Sequence, residues 1–138
     1  MEKFIAWLES LKAPLWVDVL RIVAGIAIVY KGIVFVSDFQ SFTGEISTVG
    51  WIYIAAHLGH AIIFVHLVCG PVLLFGAYTR VMSLLNIPIL AGAVVFNYQK
   101  MMVSSDTEFP LTVGILVFLI ITFFYGGGEW SLDYKRKA

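Results

Sequence analysis

The chain has 138 residues, of which 60 % are hydrophobic and only 13 % charged, with 9 Lys and Arg balancing 9 Asp and Glu. With a mean hydropathy of +0.92, this composition lies well beyond the apolar share of soluble domains and indicates an integral membrane protein of one domain. The balanced charge offers no basic face for a phosphate backbone, which excludes nucleic acid, and the single cysteine, Cys69, excludes an intrachain disulfide or dithiol redox motif.

At the N-terminus, Phe4, Ile5, Leu8 and Leu11 recur at helical spacing while Glu2, Lys3, Glu9 and Lys12 fill the other side. That pattern predicts an interfacial helix over 2–12, lying on the bilayer or packed on the end of a bundle. The stretch lacks the basic start, continuous apolar core and small-residue cleavage site of a secretory signal, so it is expected to stay on the mature protein. A bilayer core takes about 20 apolar residues per helix. Four segments reach that length, roughly 14–36, 51–77, 80–103 and 109–126. Pro14 suits a first helical turn. The run Gly126-Gly127-Gly128 stops the last span and leaves a tail over 127–138. Gly76 to Arg80, "GAYTR", joins the second and third spans so tightly that they must be antiparallel neighbours. The expected fold class is therefore all-α: a single transmembrane domain over 1–138, built as an integral membrane antiparallel four-helix bundle with a short interfacial N-terminal helix.

Lys3, Lys12, Arg80, Lys135, Arg136 and Lys137 fall on one side of these spans and Lys100 on the other. The positive-inside rule then places the N- and C-termini in the cytoplasm. Trp7, Trp16 and Trp130 mark the inner interface, and Trp51 with Tyr53 the outer one. Asp38, Glu45, Asp106 and Glu108 belong to the outer loops.

Ionisable groups inside a span are costly and point to a partner or a function. Asp18 and Arg21 stand at i, i+3 near the start of the first span, where carboxylate and guanidinium can pair. Asn86 lies at a similar depth on the third span. The inner cluster of Asp18, Arg21 and Asn86, with Arg80 at the membrane edge, reads either as a clamp fixing helix register or as a binding site. Pro71 and Pro88 fall at matching depths, where two bends would open a pocket beside Arg21 or simply shape the helices.

Towards the outer side, Lys31 stands at the depth of His57, so the two either face each other or the lysine snorkels to the headgroups. His57 and His60 are about 60° apart around their helix and can point at one site, whereas His66 lies about 180° from His57. All 3 histidines share one span, which disfavours opposite axial ligation of a haem unless a methionine from another span joins. His57 and His60 supply at most half of a metal site, and no glutamate lies within the spans to complete a di-iron set. A quinone fits better, being lipid-soluble and needing one or two hydrogen-bond donors. Candidate contacts are His57, His60 and Lys31 with Asn97 and Tyr98 on the outer side, or Arg21 and Asn86 on the inner one. The competing reading is that these groups bond across helices and hold no ligand.

The segments "LRIVAGIAIVYKG" (Leu20 to Gly32), "VCGPVLLFGAYTRVMSLLNIPIL" (Val68 to Leu90) and "GGGEWSLDYKRK" (Gly126 to Lys137) resemble the DoxX family of small four-helix membrane proteins. The matching positions are Arg21, Gly76 with Thr79 and Arg80, and Trp130, Ser131, Leu132 and Asp133. The chain departs from the family pattern late in the first span, where members often carry a histidine and glycine and this chain has Tyr30, Lys31 and Gly32, and at Glu129, where many carry a basic or neutral residue. The resemblance implies kinship with the small subunit of thiosulfate:quinone oxidoreductase, a bacterial inner (cytoplasmic) membrane location, and a structural polar cluster of Asp18, Arg80, Trp130 and Asp133. In that cluster an Asp133–Arg80 clamp would tie the tail to the inner loop. The reading that follows is a small accessory subunit of a membrane redox complex, with His57, His60, Lys31, Arg21 and Asn86 as the candidate contacts for a quinone, and with no independent catalytic centre and no metal. Its expected partners are the bilayer and a membrane protein or further copies of itself. The alternative is a non-catalytic anchor that binds lipid or partner helices.

Overall fold

A computed structural model describes residues 1–47, 55–103 and 107–137. The described residues form helices α1 (Glu2–Ser10), α2 (Leu15–Ser37), α3 (Phe39–Ser47), α4 (Ala55–Phe75), α5 (Thr79–Val103), α6 (Glu108–Tyr125) and α7 (Leu132–Lys137). Of these, α2, α4, α5 and α6 are long and apolar enough to cross a membrane, which makes this an all-α, multi-pass membrane protein. Trp51, Tyr53 and Asp106, expected at the outer side, lie outside the described residues, as does the Glu45 side chain.

The four long helices pack in a ring, α2 against α4 and α6, and α5 against α4 and α6. Without a hydrophobic drive between helices in lipid, small residues that let backbones approach carry much of this packing. A Cβ added at Gly70 on α4 would stand 2.6 Å from Val29 Cγ2 of α2. Ala24, Ile28, Leu73, Leu90, Ile115 and Leu119 fill the centre. Pro71 is half-buried while Pro88 lies on the exposed side of α5, so the two prolines do not face one shared opening.

Two short helices occupy segments that the sequence reading assigned to loop and tail. The first, α3, starts at Asp38, whose carbonyl accepts the Phe42 N–H (3.1 Å) and whose carboxylate accepts the Ser41 N–H (3.3 Å). This is the N-cap chemistry that aspartate favours. Thr43 and Phe39 of α3 then sit against Gly59 of α4. The second, α7, is capped by Ser131, whose Oγ accepts the Tyr134 N–H at 3.1 Å.

Both chain termini lie at one end of the ring, called here the terminal end, where Lys137 Nζ stands 3.6 Å from Glu9 Oε1. The first turns of α4 and α6 lie at the far end, where Glu108 of α6 meets Lys31 of α2.

Candidate functional site

The densest polar arrangement is at the terminal end. Asp18 and Arg21 share one face of α2 and are fully buried. Arg21 Nη2 donates to Asp18 Oδ1 at 3.1 Å. Arg21 Nη1 donates to the carbonyls of Leu73 (2.7 Å) and Leu74 (2.5 Å) on α4. These acceptors exist because α4 ends in a left-handed glycine. Gly76 has φ +69°, its N–H bonds Leu73 O (3.0 Å), and the Ala77 N–H bonds Val72 O (3.1 Å). This Schellman closure leaves the Leu74 carbonyl for a side chain to satisfy. Arg21 therefore caps the C-terminus of α4, where a cation also opposes the negative end of the helix dipole.

The opposite charge serves the helix that follows. Asp133 Oδ1 and Oδ2 accept the Tyr78 and Thr79 N–H groups, each at 2.8 Å, while the Asp133 N–H donates to Gly76 O at 3.0 Å. A carboxylate from the tail thus caps the N-terminus of α5, the end that favours an anion. It also holds Tyr78 at φ +48°, a left-handed conformation uncommon for a bulky residue. Arg136 stands over the Tyr78 ring, 5.0 Å from its centroid. Its hydrogen bond to the Tyr78 side chain raises the guanidinium pKa further. The tail is fastened again where Trp130 N–H donates to Asp18 Oδ2 at 3.3 Å. A side chain at Gly128 would fall on that carboxylate, so the close approach requires glycine there. Ser131 is fully buried and donates Oγ to Gly128 O at 2.6 Å.

Arg80 repeats the logic. Its Nη2 donates to Leu8 O (2.5 Å) near the end of α1 and to Phe124 O (3.3 Å) in the last turn of α6. The expected Asp133–Arg80 clamp is therefore corrected. The tail is tied to the turn, but through the backbone N–H groups of Tyr78 and Thr79, while Arg80 binds two other helix ends. Helix termini present orphan backbone groups whatever their side chains, and those outcompete a charge pair here.

The remaining predicted residues do not converge. Asn86 is buried and donates Nδ2 to Met82 O at 2.9 Å. Its side chain neighbours Cys69, so its polar contacts run within α5 and to α4 and do not involve Arg21. Lys31 pairs with Glu108 of α6, a partner that neither alternative for this lysine, facing His57 or snorkelling to the headgroups, names. His57 and His60 are both exposed. His60 Nδ1 donates to Ala56 O at 2.7 Å, and its ring lies 4.5 Å from that of Phe39. His66, by contrast, is buried, with its ring 5.9 Å from Phe35. Asn97 Nδ2 donates to Thr112 Oγ1 at 2.8 Å. Ser83 and Thr122 share a buried hydrogen bond of 2.9 Å between α5 and α6. Among the described residues, no three His, Cys, Asp or Glu group as a metal would require.

Sequence reasoning passed over Tyr78 and Leu74 because their backbone atoms, not their side chains, do the binding. Gly76 and Ser131 carried legible signals as a helix C-terminal glycine and an N-cap serine. Compared with known proteins, residues 16–99, more than half of the chain, match the family model described as DoxX. The tail from Gly126 to Asp133 lies beyond the matched residues. No curated protein and no solved structure matches.

Proposed function

The chain belongs to the DoxX family, and on that premise we propose that it is a small accessory subunit of a membrane redox complex, docking by its lipid-facing helices on a larger membrane partner. The accessory role is supported by one observation: the buried charges Arg21 and Asp18 are engaged in capping α4 and fastening the tail. Groups so engaged hold a fold together and leave little for chemistry. Docking is supported by the long helices themselves, which bury no more than 28 % of their apolar windows within the chain. The redox assignment rests on the family. The cations at the terminal end favour an orientation in a bacterial inner membrane with both termini cytoplasmic.

A quinone contact belongs to the far end in this reading. Because the Ala56 carbonyl can only accept, His60 Nδ1 carries a proton, and in the singly protonated ring Nε2 is then the acceptor, beside Phe39. That arrangement suits the hydroxyl of a quinol better than the carbonyl of a quinone. The groups His57, Lys31, Arg21 and Asn86 would contribute less, being dispersed or engaged elsewhere.

The test is purification from the native membrane in mild detergent, followed by native mass spectrometry, an ultraviolet-visible spectrum and solvent extraction. A redox-active membrane protein that co-purifies supports the accessory reading, and extractable quinol lost in His60→Ala supports the contact. A chain that carries only phospholipid, or only further copies of itself, overturns the redox reading in favour of a lipid-binding anchor.

A further inference from the structure

The structure brings α1 and the tail helix α7 together at the terminal end. In α1, Leu8 is the buried residue and Arg80 holds its carbonyl. Phe4, Ile5 and Trp7 are about half exposed. They share one side of the helix with Leu8, and Glu2, Lys3 and Glu9 stand on the other. In the tail, Trp130, Leu132 and Tyr134 are likewise exposed. Lys137 and Glu9 join the two helices, so these aromatic and aliphatic groups form one rim with Leu15, Trp16 and Tyr78, all about half exposed at the same end.

The charges on this rim do not cancel. Asp18 is matched by Arg21, Glu9 by Lys137, and Asp133 by the α5 N-terminus. Lys3, Lys12, Lys135 and Arg136 remain exposed, facing Glu2 and Glu129 as the exposed acids. Aromatic rings sink to the acyl boundary and flexible cations reach the phosphate level above them. We propose that this rim is a collar that selects anionic phospholipid headgroups over zwitterionic ones. The selectivity has a simple cause: a phosphodiester with no cation of its own keeps its full attraction for lysine and arginine. This holds whether or not the protein serves a redox complex.

The experiment uses the full chain, stripped of lipid by detergent washing and offered phosphatidylcholine alone or an equal mixture with phosphatidylglycerol. Native mass spectrometry should show phosphatidylglycerol retained about fivefold or more over phosphatidylcholine. Lys12→Gln/Lys135→Gln/Arg136→Gln should abolish that preference, whereas Lys100→Gln, in the last turn of α5 at the far end, should keep it. Equal retention of both lipids by the parent, or a preference that survives in the triple variant, would overturn the proposal. A second measurement needs no variant: phosphatidylglycerol should raise the parent's thermal transition above that in phosphatidylcholine, and added salt should shrink the difference. A difference that ignores salt also overturns it.

Discussion

At the terminal end, Arg21 and Asp18 are 1 % and 0 % exposed and reach backbone groups of α4 and the tail as well as each other. At the far end, Lys31 and Glu108 form a pair across α2 and α6 that stays 23 % and 38 % exposed. The contrast teaches where a membrane protein can place charge. A deeply buried ion pair is tolerable when additional hydrogen bonds engage both members, and here the backbone at the end of α4 and in the tail supplies those bonds, although Arg21 Nε has no partner among the described residues. A pair near the membrane surface needs no such network, since water and headgroups screen it, and it contributes correspondingly little.

The sharpest way to break this comparison is Arg21→Ala. It strands the Asp18 carboxylate and the Leu74 carbonyl together, and should lower stability by about 3 to 5 kcal/mol, the usual consequence of orphaning a buried partner. Thermal denaturation in detergent reads this as a large drop in the transition temperature. The double variant Arg21→Met/Asp18→Leu should recover a good part of the loss, because no charge is then left unpaired. If it melts no higher than Arg21→Ala, the carboxylate is not what the guanidinium stabilises.

Asp133→Ala comes next, with an expected loss of about 1 to 2 kcal/mol, typical of a deleted N-cap. Hydrogen exchange would locate it: the amides of Tyr78 and Thr79 should lose protection while those in the middle of α5 keep theirs. Arg80→Ala should leave those two amides protected and free α1 instead, and shared deprotection would restore the direct Asp133–Arg80 clamp. At the far end, Lys31→Met or Glu108→Gln should cost no more than about 1 kcal/mol. A loss as large as that of Arg21→Ala would show that the far pair is buried in the membrane and would dissolve the contrast. Smallest of all, His60→Ala should leave the stability within about 0.5 kcal/mol of the parent, as exposed substitutions usually do. It is informative for bound quinol, not for folding.

Much of the bundle was legible in the residues. The apolar stretches gave the long helices, Pro14 and Gly126 stand next to helix ends, and the brevity of Gly76 to Arg80 made α4 and α5 antiparallel neighbours. The short helix α3 was missed although Asp38 signals its start, because a stretch of nine residues between two spans reads as loop unless something packs on it. Gly59 and the rings around it supply that packing.

For the polar groups, the sequence by itself determined relations within one helix. Asp18 and Arg21 pair because three residues of helix bring them onto one face, and His66 parts company with His57 and His60 because their angular offset is fixed by the same geometry. Relations between helices were decided only by the tertiary structure. It gave Lys31 to Glu108, turned His57 and His60 outward, and sent Asp133 to backbone N–H groups and Arg80 to the ends of α1 and α6. The physical reason is twofold. Helical periodicity fixes the angle of each side chain about its own axis but not the rotation of that axis against its neighbours, which is set by close packing at residues such as Gly70. The orphan carbonyls and N–H groups at helix ends belong to the backbone, and so became visible as partners once the helix ends were brought together.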